Sequence, residues 1–122
     1  MSRESVRQAF KRAVQSVFVG TVYTSRVTDN RDDNEYVSIF IEEGDITHNF
    51  SGSETEARIT VRYCKKQPVE DGVLDVVADQ VIAAIAEFPD VLAVVGRPLL
   101  ESFSYEPDSQ HNSINHTFRV IY

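Results

Sequence analysis

Thr55-Glu56-Ala57-Arg58-Ile59-Thr60-Val61-Arg62-Tyr63-Cys64 decides the fold. Ala57, Ile59, Val61 and Tyr63 take every second position, with Glu56, Arg58, Thr60 and Arg62 between them. That is the period of a β-strand with one apolar and one wet face. A strand of this kind needs partners beside it and a layer over its apolar side, so the flanking segments must supply both.

Working back toward the N-terminus, Tyr36-Val-Ser-Ile-Phe-Ile-Glu42 reads as a second strand. Phe18-Val-Gly-Thr-Val-Tyr-Thr-Ser-Arg-Val27, rich in β-branched and aromatic residues, reads as a third, with Gly20 marking a bulge or bend. Thr28 to Glu35 holds only polar residues and turn formers, so it predicts an exposed loop. Before it, Val6, Ala9, Phe10, Ala13, Val14 and Val17 form one helical stripe, with Ser2 placed to cap the helix. Toward the C-terminus, Pro68, Glu70 and Asp71 are a helix-start composition, and Val73, Leu74, Val77, Val81, Ile82, Ile85 and Phe88 give that helix an apolar face ending at Pro89. Leu99/Phe103/Tyr105 and Ile114/His116/Phe118/Val120/Tyr122 alternate as two final strands around a loop from Pro107 to Ser113. The expected architecture is α+β in the order α-β-β-β-α-β-β, a largely antiparallel sheet with two helices packed on one face.

At 122 residues with 42% hydrophobic side chains, the chain is expected to be a single domain, 1–122, with one core. One cysteine, Cys64, excludes a disulfide scaffold and is compatible with a reducing cytoplasm. The N-terminus does not read as a secretory signal, and the apolar region from Val73 to Val95 is broken by Asp75, Asp79, Gln80, Glu87 and Asp90, so no membrane span is expected. The net charge of −7 argues against gripping nucleic-acid phosphates. Charge is also segregated: Arg3, Arg7, Lys11 and Arg12 crowd the first helix, whereas residues 29–56 hold nine carboxylates against Arg31 alone. A basic helix and an acidic sheet region suit self-association through two different patches, although each patch alone also reads as a solvated surface.

Catalytic patterns are missing. Cys64 with His48, His111 or His116 matches no zinc or nucleophile–base spacing, and on one continuous strand His111 and His116 face opposite sides. The isolated glycines form no phosphate-binding loop, and the acidic runs do not match an EF-hand. No cofactor or metal is expected. An alternative class stays open, a small α+β binding or enzyme domain with a pocket lined by Tyr23, Tyr36, Tyr63, His116 or Cys64.

The order of elements, with Tyr36-Val-Ser-Ile-Phe-Ile-Glu-Glu-Gly-Asp45, Glu56-Ala-Arg-Ile-Thr-Val-Arg-Tyr63, Ala86-Glu-Phe-Pro-Asp-Val-Leu92 and His116-Thr-Phe-Arg-Val-Ile-Tyr122, resembles the tail terminator family of long-tailed bacteriophages along the whole chain. The resemblance implies a non-enzymatic virion protein at the head-proximal end of the tail, assembled in the bacterial cytoplasm. It implies a homo-hexameric ring that caps the tail tube protein, stops tube polymerisation, offers a surface to the head-tail connector protein and lets DNA pass through its lumen. A head-to-tail joining or tail-completion protein of the neck is the alternative in the same class. For such a ring, charge places Arg3, Arg7 and Arg12, or Arg58 and Arg62, against a neighbour's Asp32, Asp33 or Glu43. Carboxylates Asp32, Asp33 and Glu35 are candidates to line the lumen and repel passing DNA.

Overall fold

The protein's structure, a computed structural model, describes residues 2–26, 33–50 and 52–122. Eight elements follow one another: α1 (Arg3–Gln15), β1 (Thr21–Tyr23), β2 (Glu35–Asn49), β3 (Gly52–Lys66), α2 (Asp71–Glu87), α3 (Pro89–Val95), β4 (Leu99–Pro107) and β5 (His111–Ile121). The five strands form one sheet in the order β1-β2-β3-β5-β4. Only the β1–β2 pairing is parallel; the other three are antiparallel.

The alternation in Thr55–Cys64 works as expected. Register aligns Val37 with Tyr63, Ile39 with Val61 and Ile41 with Ile59, and on the other side of β3 it aligns Ala57, Ile59 and Tyr63 with Val120, Phe118 and Ile114. Directly opposed residues share a face, so these side chains make one apolar surface. α1 covers it with Val6, Ala9, Phe10, Ala13 and Val14, and α2 covers it with Leu74, Ala78, Val81 and Ile85, all buried. Phe10 meets Phe118 edge-on at 5.9 Å between ring centroids. Ser2 caps α1 as the sequence implies, its side chain accepting from the Ser5 N–H at 3.0 Å.

Five elements differ from expectation. The strand placed at Phe18–Val27 shrinks to Thr21–Tyr23, because Phe18 turns into the core against Tyr63, ring centroids 5.8 Å apart. Pro89 ends α2 and also begins α3, a third helix anchored by buried Val91 and Val95. Proline fits there because the first helical N–H has no acceptor within the helix. α3 closes on Gly96, whose φ of 69° favours glycine and whose N–H returns to the Leu92 carbonyl at 3.0 Å. β5 starts at His111, inside the expected loop. Finally, β2 and β3 run well past Glu42 and Thr55, pairing from Glu43–Arg58 to Asn49–Gly52 beyond an irregularity between Ile41 and Glu43. This ribbon overhangs the body, and every described residue from Glu42 to Glu54 is exposed.

Parallel pairing of β1 with β2 requires the chain to travel back along the sheet between them. The described flanks of that crossover lie on the face opposite the helices. There the Ser38 hydroxyl donates to the Ser25 carbonyl, the Arg26 guanidinium sits 4.7 Å above the Phe40 ring, and the Asp33 carbonyl is 2.8 Å from His111 Nε2. Tyr36, Ser38, Phe40 and Cys64 are therefore buried although no helix covers them.

Candidate functional site

The helix-free face carries a ladder of charge. Arg58 pairs with Glu43 at 2.9 Å and with Glu101 at 3.4 Å. Arg119 lies 3.7 Å from both Glu56 and Glu101, and Arg62 pairs with Glu106 at 3.0 Å while also donating to Asn115. The period of two puts these residues together: even positions of β3 and odd positions of β5 point the same way. Glu101 first, and Glu43 second, hold the Arg58 guanidinium in its charged form.

The overhang continues this face outward with Asp45 opposite Glu56 and Thr47 opposite Glu54. Two carboxylates directly across a strand pair repel. Glu42, Asp45 and Glu54 form no ion pair with another described residue. The other side of the same ribbon carries Ile46, Thr55 and His48, and Phe50 stands fully exposed at its end. At its root, Gly44 lies so close to β3 that a Cβ would sit 2.9 Å from the Glu56 carbonyl oxygen.

Below the overhang is an open cleft of about 780 Å³. Arg3, Glu4 and Arg7 of α1 line it together with Ile41, Glu42, Glu43, Ile46, Ala57 and Tyr122 of the sheet side, so carboxylates outnumber cations in it. Arg3, Arg7 and Lys11 recur every four residues along one flank of α1. Arg7 reaches Glu4 at 3.2 Å, and Gln8 donates to the same carboxylate, which holds Glu4 below its usual range. Arg12, on another flank, ties α1 to α3 through Asp90 at 2.6 Å. Arg3 and Lys11 make no ion pair with a described residue.

On the opposite edge β4 is exposed along its whole length, with Leu99, Leu100, Phe103 and Tyr105 unburied. Tyr105 donates to Asp75 of α2 at 2.6 Å, and this bond pushes its phenol up to about 12. His116, beside Asp75 and Asp79, is held below its ordinary pKa by burial, against the pull of those carboxylates.

The charged residues singled out from the sequence are thus partly engaged within one chain. Arg58 and Glu43 meet each other, Arg62 meets Glu106, and Arg7 and Arg12 meet Glu4 and Asp90; Arg3 alone of these cations has no such partner among the described residues. Asp33 accepts the Tyr23 hydroxyl at 2.6 Å. Asp32 lies outside the described residues. Glu35 is half-buried and accepts the Tyr63 hydroxyl, with Lys65 at 3.9 Å. Sequence reading missed that pair, although the adjacency of Glu35 to the alternating stretch at Tyr36 placed it on the helix-side face.

The alternative pocket does not assemble. Tyr63 and His116 face the helices, whereas Tyr23, Tyr36 and Cys64 face the other way. Burial raises the Cys64 thiol to about 11, so it is a packed side chain with little thiolate at neutral pH. His48 is on the overhang, His111 is buried beside Tyr36, and His116 is across the sheet. Among the described residues, no group of three or more His, Cys, Asp or Glu side chains is arranged to hold a metal, and no helix is long and apolar enough to cross a membrane.

A small α+β chain whose distinctive features are an overhanging ribbon, a charged open face and an exposed sheet edge has the form of a structural component of a larger assembly. Its sequence matches the family described as phage minor tail protein U over residues 1–122, and the chain belongs to that family of virion tail proteins. A chain of the solved virion of a native gene transfer agent particle shares the fold, with a TM-score of 0.56 and 14% identity over 94% of this chain and 92% of that one. The sheath/tube terminator of an extracellular contractile injection system, PVC, in its extended state gives a TM-score of 0.45 at 14% identity, with 99% of this chain covering 56% of that chain. No curated protein matches by sequence.

Proposed function

We propose that this tail protein is a terminator: residues 1–122 act as one unit, copies join into a homo-hexameric ring on the head-proximal end of the tail tube, and the ring stops polymerisation and receives the head-tail connector. The observation that carries this reading, beside family membership, is the overhang. A ribbon that keeps strand pairing while all its described residues from Glu42 to Glu54 stay exposed has no role in the monomer's core. Such exposed regular structure is buried economically against a neighbour. The role needs no catalysis, cofactor, membrane or sequence-specific contact to DNA. An acidic lumen suits it, since like charge keeps passing DNA from sticking.

Native mass spectrometry of the purified chain across concentration and salt, with and without a divalent cation, tests the ring, and addition to growing cognate tubes tests termination. The expected outcome is six copies and arrested elongation. A species that stays monomeric both in solution and on tube tips overturns the proposal, and binding to filled heads but not to tubes moves the protein to the neck.

A further inference from the structure

β4 is an unprotected sheet edge. It closes the strand order, and no backbone hydrogen bond reaches its outer side from another described residue. Soluble proteins blunt such edges with short strands, lysines, prolines or bulges. The edge at the other end of the sheet is blunted in this way, since β1 is three residues long. β4 has an irregularity between Leu100 and Ser102 and ends at Pro107, which leaves Ser102-Phe103-Ser104-Tyr105-Glu106 with none of these devices.

The two sides of that stretch differ. Register with His116 and Ile114 puts Phe103 and Tyr105 on the helix side, 63% and 40% exposed, with ring centroids 6.0 Å apart. There they form a groove with Ile114, His116 and the carboxylates Asp75 and Asp79 of α2. α2 contains no lysine or arginine, and neither carboxylate forms an ion pair with a described residue. Burial holds His116 below its ordinary pKa, so it brings no compensating charge at neutral pH. On the other side, Ser102 and Ser104 are neutral and Glu106 is matched by Arg62.

This chain has no suitable strand to offer in return. Its other long free edge is the overhanging part of β2, and β2 contains no lysine or arginine. That part carries Glu42, Glu43 and Asp45, which repel a groove holding Asp75 and Asp79.

We infer that β4 is the docking edge for an extended segment of a different protein, one with lysine or arginine at alternate positions, which extends the sheet beside residues 102–106. The segment's backbone pairs with the outer N–H and C=O groups of β4. The stems of its basic residues lie across Phe103 and Tyr105, and their charged ends reach Asp75 and Asp79. The residues between them are small and polar, beside Ser102 and Ser104. This goes beyond the terminator reading and holds whether or not copies close into a ring.

The probe is a capped peptide of alternating Lys and Thr, compared with the same peptide N-methylated at every residue, which keeps the charges and lacks the backbone donors. The unmethylated peptide is expected to bind, read by fluorescence anisotropy, and to slow hydrogen exchange in residues 102–106. Full N-methylation, or Asp75→Asn with Asp79→Asn, is expected to weaken binding about tenfold or more. Asp45→Asn with Glu54→Asn removes the same charge elsewhere and is expected to change affinity by less than about twofold. Asparagine at 75 still accepts the Tyr105 hydroxyl, so an unchanged melting temperature is expected for both pairs. Absence of binding, equal binding of the methylated peptide, or equal losses from the two pairs of substitutions overturns the proposal. So does protection of residues 102–106 that rises with protein concentration in the absence of peptide, because a second copy is then the occupant.

Discussion

β2 and β3 are each one continuous strand, but their two halves live in different environments. Within the body, Val37, Ile39, Ile59, Val61 and Tyr63 are buried beneath α1 and α2; beyond Ile41, the same two strands keep their pairing with every described residue from Glu42 to Glu54 in solvent. Both halves satisfy their backbone hydrogen bonds in the same way. What differs is the layer above them, so pairing alone does not report where the stability resides.

The contrast is sharpest for one residue type. Ile59→Ala in the body removes a fully buried side chain and is expected to cost about 2–5 kcal/mol, read as a lower urea midpoint at constant slope. A loss well below 1 kcal/mol would break the comparison, because the helix-covered half would then not be the core.

Alkaline titration gives the next largest effect. Burial holds the Cys64 thiol at about 11 against an ordinary value of 9.0. The unfolded chain therefore loses its proton first, and stability present below the ordinary value falls as pH rises from there toward 11. The loss is expected to be on the order of 2–3 kcal/mol. Cys64→Ala removes the part that begins at the thiol's ordinary value and leaves the later loss due to Tyr36 and Tyr63, both also raised by burial. Denaturation midpoints across pH, with thiol labelling of the native protein, check this; rapid native labelling would contradict it.

At the junction of the two halves, Gly44→Ala brings a Cβ to 2.9 Å from the Glu56 carbonyl, and backbone must give way. The expected cost is about 1–3 kcal/mol, with hydrogen exchange faster in the overhang than in the body. An unchanged exchange pattern would mean the ribbon adjusts without losing register. The smallest effect belongs to Ile46→Ala in the overhang, which is expected to change monomer stability by less than about 0.5 kcal/mol. A large loss of monomer stability would show that the overhang packs on its own body.

Much of the body was legible in sequence because its burial is periodic. α1 shows its stripe and its cap, β3 and β5 alternate cleanly, and α2 repeats at helical spacing. The departures share a cause. Gly44, Asp45, Asn49 and Gly52 are turn formers, yet they lie in β2 and β3, because a paired strand supplies hydrogen bonds that outweigh weak local preference. Phe18 and Val19 have strand composition, but Phe18 is recruited to the core. Pro89 was legible as a stop and not as a start, since proline is compatible with both.

The candidate surfaces divide along the same line. Opposite charge on the first helix and on residues 29–56 is a property of composition, visible without coordinates. Partner choice among those charges depends on register: which residues lie opposite Arg58 and Arg62 is set by how β2, β5 and β4 align with β3. Periodicity alone therefore determined an α+β protein with a helix-covered sheet, because side-chain direction in helices and strands follows from backbone geometry. Only the tertiary structure decided that the acidic ribbon projects beyond the core and which charges it brings beside the first helix, because long-range pairing and layer order arise from contacts between segments far apart in the chain.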